Sequence, residues 1–195
     1  MPFNTNVIEG FTESAVRTLA ASTPEERVVL VNEDDEAIGI EDKTKAHRLG
    51  KLHRAFSVFV VNSAGQLLVQ KRAVTKYHSR NLWSNTCCGH PRPGETIAQA
   101  SRRRLGEEMG FQSNLKEVFS FIYRANLEDG LIENEYDHVL VGYFEGVPTP
   151  DPAEISEYRW VDIPGLSVDL QRDPENYTCW FRISFDRFLR VLQPL

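Results

Sequence analysis

Only three cysteines occur in the 195 residues, Cys87, Cys88 and Cys179. Two are adjacent and the third is distant, so no disulfide framework can be drawn. Reduced thiols and a cytoplasmic location are expected. Long apolar runs are missing as well: a membrane-spanning helix needs roughly 20 apolar residues, and the longest candidate, residues 56–61, is strand length. No basic segment followed by an apolar one opens the chain, so no signal peptide is evident. There is no basic excess either. A net charge of −6 argues against a general nucleic-acid binder and requires local cations wherever an anionic ligand is to be held. No internal repeat, low-complexity segment, or flavin or nicotinamide motif occurs, so no redox cofactor is called for.

A chain of this length suits one ordinary domain that buries about 70% of its unfolded surface. Its 41% hydrophobic and 26% charged residues fit a globular protein. Residues 1–26 are small and polar, with a weak helical pattern over 13–21. They are expected to form a mobile or loosely docked N-terminal extension, leaving 27–195 as a single catalytic domain.

Residues 27–31 and 37–40 read as a hairpin closed by the turn-forming stretch 32–35. Residues 53–62 alternate, with His53, Ala55, Ser57, Phe59 and Val61 on one face. Ser63-Ala64-Gly65 turns the chain into a second strand, 66–72. A helix follows Gly94 and stops before Gly110, with Ala98, Ser101, Leu105 and Met109 as its buried stripe. Strands are predicted at 117–125 and 133–144, joined through Glu128-Asp129-Gly130, and a further one at 158–161. Residues 164–174 read as irregular or briefly helical, and a closing helix spans 180–192. Strands mixed with few helices give an α+β fold or an α/β/α sandwich.

Of the five histidines, His47, His53 and His90 occupy suggestive places. Glu133 and Glu135 are two apart on a predicted strand, so both carboxylates leave the same face. Three imidazoles and two carboxylates suit a near-octahedral Mn²⁺, Zn²⁺ or Mg²⁺ ion, whereas an acidic edge strand is the plainer alternative. Cys88 stands directly before Gly89-His90, where a thiol could exchange a proton or act as a papain-like nucleophile. His90 cannot both ligate metal and serve as the base of that nucleophile, which favours proton exchange. Lys43, Arg72, Lys76 and Arg104 are simplest as surface charges, and Arg104 has Glu108 at i+4. Tyr123 and Trp180 fit the core, although an indole face also stabilises a desolvated cation by roughly 2 kcal/mol or more.

The spacing of Gly89, Glu95, Arg103, Leu105, Glu107, Glu108, Gly110 and Phe111 resembles the Nudix box, a loop–helix–loop that holds divalent metal against a diphosphate. Arg104 stands where Nudix hydrolases carry a glutamate, and Cys88-Gly89-His90 has no counterpart in their chemistry. Together these features resemble type I isopentenyl diphosphate isomerases, and the likeness covers nearly everything after residue 26. It implies the Nudix fold, a mixed β-sheet flanked by helices in an α/β/α sandwich. It also implies interconversion of isopentenyl and dimethylallyl diphosphate through a tertiary carbocation.

Carried over residue by residue, the resemblance places one divalent metal on His47, His53, His90, Glu133 and Glu135, with Cys88 counted in the same metal site. It places the substrate diphosphate on Lys43, Arg72, Lys76 and Arg104, and a second Mg²⁺, brought by that diphosphate, on Glu108. Cys88 and Glu135 would be the opposed acid/base pair, Tyr123 would assist, and Trp180 would face the cation. Cys179 departs from the pattern, standing where a proline is common. The partner implied is a small isoprenoid diphosphate, with no nucleic acid and no membrane, acting on a monomer or weak homodimer. A Nudix hydrolase of nucleoside diphosphate derivatives is the alternative, but it lacks the glutamate that Arg104 replaces.

Overall fold

The computed structural model describes residues 26–192. The N-terminal helical pattern at 13–21 lies outside them. Among the described residues are nine strands of one mixed sheet and four α-helices.

The first hairpin pairs β1 (Arg27–Val31) with β2 (Ala37–Asp42). Its turn is held by Asn32, whose side-chain oxygen accepts from the backbone of Asp34 and Glu36 at 3.0 and 2.9 Å. A short helix, α1 (Lys43–Leu49), follows; no element was predicted there from the sequence. Its signals are local: the Asp42 carboxylate accepts from Lys45 N at 2.9 Å, and Gly50 ends the helix at φ 58°.

The strand β3 (His53–Val61) is central. It runs parallel to β8 (Ile132–Tyr143) on one side, with His53 opposite Glu135. Its other side takes in turn β1, β6 (Cys87–Gly89) and β4 (Gln66–Arg72). The remaining strands are β5 (Trp83–Ser84) beside β4, β7 (Lys116–Asn126) beside β8, and β9 (Ile155–Asp162) along β4. Residues Ala55 to Val60 of β3 are all buried, so both of its faces are covered.

Helices cover both faces. On one side α2 (Ile97–Met109) packs Ala100, Leu105 and Met109 against Phe56, Val58, Val60 and Leu68. Ala98, expected on that stripe, is exposed; the helical phase gives the buried position to Ala100. On the other side α3 (Ile163–Arg172) and α4 (Cys179–Leu192) bury Leu166, Phe181, Phe185 and Phe188 against Phe59, Val69 and Val139. Phe59 and Phe188 stack with ring centroids 4.4 Å apart. Burial of each such aromatic contributes about 1.5–3 kcal/mol.

The stretch 164–174, read as irregular or briefly helical, is helical through Arg172 as part of the ten-residue α3, with Asp173 and Pro174 beyond its end. Its proline is no obstacle, because Pro164 lies in the first turn, where no intrahelical donor is needed, and Asp162 caps Gly165 N at 2.8 Å. The short strands β5 and β6 also went unpredicted, having too few residues for a period-two pattern.

Candidate active site

Four local devices bring the site together. The backbone of α1 and the turn after it hold two imidazoles: His47 Nδ1 lies 2.7 Å from Lys43 O, and His53 Nδ1 lies 2.9 Å from Lys51 O. A carbonyl only accepts, so both rings carry their proton on Nδ1 and present a bare Nε2 inward. The end of α1 is pinned to the strands below it, since Gly50 O accepts from Arg124 at 3.0 Å and Asn134 at 2.9 Å. The pleat of β8 then sends Glu133 and Glu135 to one face beneath the imidazoles. Finally, β6 pairs Cys88 with Ser57 of β3 and carries His90 beyond it.

His53 Nε2 is 3.2 Å from His90 Nε2, which is 2.8 Å from Glu135 Oε1. The donor atoms of His47, His53, His90 and Glu135 all lie within 4.8 Å of one another. Glu133 Oε2 is buried and makes no hydrogen bond, although His47 Nε2 is 3.2 Å away. Imidazole nitrogens turned inward within 4.8 Å of one another and an orphaned carboxylate oxygen are what a divalent cation would satisfy, so this donor set can hold one.

The electrostatics follow from burial and close pairing. Burial works to raise the Glu135 carboxyl, but the His53 and His90 imidazoles beside it overcome that and hold Glu135 well below the usual range. Glu133 moves the other way, raised by burial and then by the neighbouring Glu135 charge. Burial takes His90 down to about 3 against the pull of Glu135. Cys88 is pushed up to about 12 by burial, with Arg72 opposing, so its thiol keeps its proton at neutral pH. The Tyr123 hydroxyl donates to Glu135 Oε2 at 2.6 Å.

A cavity of about 320 Å³ opens over this cluster. Its walls include Cys88, His90, Glu133, Glu135 and Trp180 at one end and Lys43, Arg72, Lys76 and Arg104 at the other. His47, His53 and Tyr123 lie behind that wall, touching its carboxylates. Trp180 is 4% exposed and fixed by a bond from Nε1 to Ser84 Oγ at 3.0 Å. Arg72 spends two donors on the carbonyls of His78 and Ser79, both at 3.2 Å, and its guanidinium lies 5.2 Å from the Trp180 ring centroid. Arg104 donates to Glu107 Oε2 at 2.8 Å and to Glu154 at 3.1 Å, and also binds Glu108. Glu107 pairs with Arg103 as well, at 3.2 Å.

Three groups near the site went unnamed from sequence, two of them buried and Glu154 half-buried. His78 faces Glu133 from the loop after β4. Glu154 bridges Lys76 and Arg104. Asp137 follows Glu133 and Glu135 on the same face of β8 and is raised well above its ordinary range by burial and the Glu135 charge. Only Asp137 carried a usable signal, the continued period of two.

Residues 51–181 match the NUDIX domain family model, which defines the class of protein. The fold has solved counterparts: a Deinococcus radiodurans structure superposes at TM-score 0.71 with 24% identity, covering 83% of this chain and 98% of that one. A MutT protein from Methanosarcina mazei superposes at 0.60 with 19% identity, covering 73% and 96%. Sequence similarity is closer to one branch. The Isopentenyl-diphosphate Delta-isomerase of Burkholderia multivorans is 53% identical over 163 residues, 84% of this chain and 93% of the relative. Isopentenyl-diphosphate Delta-isomerase 1 of Aromatoleum aromaticum is 52% identical over 165 residues, 85% and 93%. The chain belongs to the isopentenyl-diphosphate Delta-isomerase family of Nudix proteins.

Proposed function

We propose that this protein interconverts isopentenyl and dimethylallyl diphosphate by moving protons on opposite sides of the substrate. One observation carries this beyond family membership. Cys88 and Glu135 lie on β6 and β8, the strands that flank β3 on its two sides, and both line the same cavity. An alkene held between them receives a proton at its terminal carbon from one group and yields a C2 proton to the other. The electron pair of the broken C–H bond closes the new double bond.

At neutral pH a thiol held up at about 12 is a donor and a carboxylate held low is an acceptor, so the resting site contains one of each. Tyr123 steadies the Glu135 carboxylate through its hydrogen bond. The Trp180 ring, locked by Ser84, supplies an indole face for the tertiary cation, worth about 2 kcal/mol once water is excluded. Lys43, Arg72, Lys76 and Arg104 hold the diphosphate at the far end, with guanidinium groups suited to bidentate phosphate contact. We assign His47, His53, His90, Glu133 and Glu135 to a divalent metal of the Mn²⁺, Zn²⁺ or Mg²⁺ kind, and Glu108 to a Mg²⁺ arriving with the diphosphate. When bound, the first ion supplies a fixed positive charge that orders the imidazoles and carboxylates. The reading also takes residues 27–195 as one catalytic unit, working in the cytoplasm as a monomer or weak homodimer. In support, all three cysteines are free, and among the described residues no helix is long and apolar enough to cross a membrane.

Hydrolysis is disfavoured by Arg104. Its guanidinium pairs with Glu107 and Glu108 and brings a positive charge where several ions would have to gather to activate water, so Glu108 is left at most the single ion that the diphosphate brings. Incubation of isopentenyl diphosphate in D₂O with Mg²⁺ is expected to place deuterium in the dimethylallyl product and release neither phosphate nor pyrophosphate. Phosphate release without deuterium in carbon would establish the hydrolase instead.

A further inference from the structure

The loop between β4 and β5 brings a fourth imidazole to the cluster. Its backbone is tightly specified: Ser79 and Asn81 hold left-handed conformations at φ 50° and 60°. Arg72 binds the carbonyls of His78 and Ser79, and the Glu128 carboxylate accepts from Ser79 N. Held this way, His78 is 4% exposed and turns its ring inward, against the edge of Trp180 at 5.8 Å between centroids.

The spacing of donors around His78 is informative. Its Nε2 lies 3.5 Å from Glu133 Oε1 and makes no hydrogen bond to it. His53 Nε2 stands 3.6 Å from Glu135 Oε1, and His47 Nε2 stands 3.2 Å from Glu133 Oε2. Adjacent ligands of an octahedral ion with bonds of roughly 2.1 Å sit roughly 3 Å apart. His78 therefore repeats, within a few tenths of an ångström, the relation the other imidazoles have to their carboxylates. Donor atoms of His47, His78 and Glu133 lie within 4.8 Å of one another, and Glu133 keeps a buried oxygen with no hydrogen bond.

We propose that His78 is a further ligand of the divalent ion, entering beside Glu133, so that four imidazoles and two carboxylates serve one centre. This rests on the metal-dependent reading above. It has a consequence for the choice of ion: each added imidazole favours Zn²⁺, Co²⁺ or another borderline ion over Mg²⁺, which prefers oxygen and water. Magnesium is then left to the diphosphate end of the cavity.

The test is a Co²⁺ titration of the metal-free full chain, as wild type, His78→Gln and His78→Ala. The readouts are the Co²⁺ dissociation constant and the paramagnetically shifted imidazole N–H proton resonances. Wild type is expected to show one more shifted N–H resonance than either variant, and both variants to bind Co²⁺ at least about tenfold more weakly. Identical resonances in wild type and His78→Gln, or affinity restored by Gln to the wild-type value, would overturn ligation and leave His78 a packing neighbour of Glu133. No Co²⁺ bound by wild type would overturn the metal centre itself, and His78 ligation with it. Thermal unfolding of the metal-free proteins checks that the variants fold. If His78→Ala does not, the near-isosteric His78→Gln decides.

Discussion

Two neighbouring cysteines show how much a single pleat decides. Cys87 and Cys88 leave opposite faces of β6. Cys87 is fully buried against the α2 face of the sheet, while Cys88 reaches the cavity on the other face. The two thiols are chemically alike and both are raised by burial. Only position separates them. Cys88→Ala is expected to lower turnover at least about 10²-fold, the usual range for losing a positioned proton donor. Cys87→Ala should leave the rate within a fewfold and lower stability by about 1 kcal/mol, for a small core deletion. Steady-state rates and thermal unfolding of the two variants check this, and near-normal turnover in Cys88→Ala would remove its acid/base role. Adjacency to Gly89-His90 made Cys88 legible in the sequence. His78 was not legible, because its place depends on two left-handed residues that bend its loop inward.

At the scale of the element, α2 divides its work between its ends and its exposed face. Thr96 and Gln99 form a capping box: Thr96 Oγ1 accepts from Gln99 N at 3.2 Å, and Gln99 Oε1 accepts from Thr96 N at 2.9 Å. Thr96→Ala is expected to cost about 1 kcal/mol of stability, read from denaturant unfolding, with catalysis retained. Arg104, on the same helix, should affect binding as well as stability. Arg104→Glu puts a carboxylate among Glu107, Glu108 and Glu154, so KM for isopentenyl diphosphate should rise at least about tenfold, and the buried Glu108, left without its partner, should lower the unfolding midpoint too. An unchanged KM would take Arg104 out of the diphosphate site. The helix itself was readable from its flanking glycines and apolar stripe, although the stripe's phase needed the structure to replace Ala98 by Ala100.

At the scale of the molecule, the proposed metal donors come from α1, β3, the segment after β6, and β8, which lie far apart in sequence. Such a site depends on the assembled sheet, and a bound ion in turn stabilises the assembly by binding only the folded form. A strong chelator is therefore expected to abolish isomerisation and lower the thermal unfolding midpoint, and added Mn²⁺ or Zn²⁺ to restore both. His90→Ala and Glu133→Ala should each show reduced metal content by elemental analysis. Full occupancy in both variants would mean that the ligands are misassigned.

The sequence by itself determined what local chemistry can determine. It set the central alternating strand, the Nudix helix between its glycines, the closing phenylalanine-rich helix, and a reactive-residue inventory at recognisable spacing. Periods of two and 3.6, and the conformational freedom of glycine, act within a few residues, so they can be read along the chain. Tertiary structure alone decided the rest. Parallel pairing of β3 with β8 set His53 opposite Glu135 and put Cys88 and Glu135 on opposite flanks of one strand. Burial around β3 raises Cys88 and Glu133, while the imidazoles brought beside Glu135 hold it low. Desolvation and convergence depend on atoms distant in sequence, so no spacing along the chain encodes them.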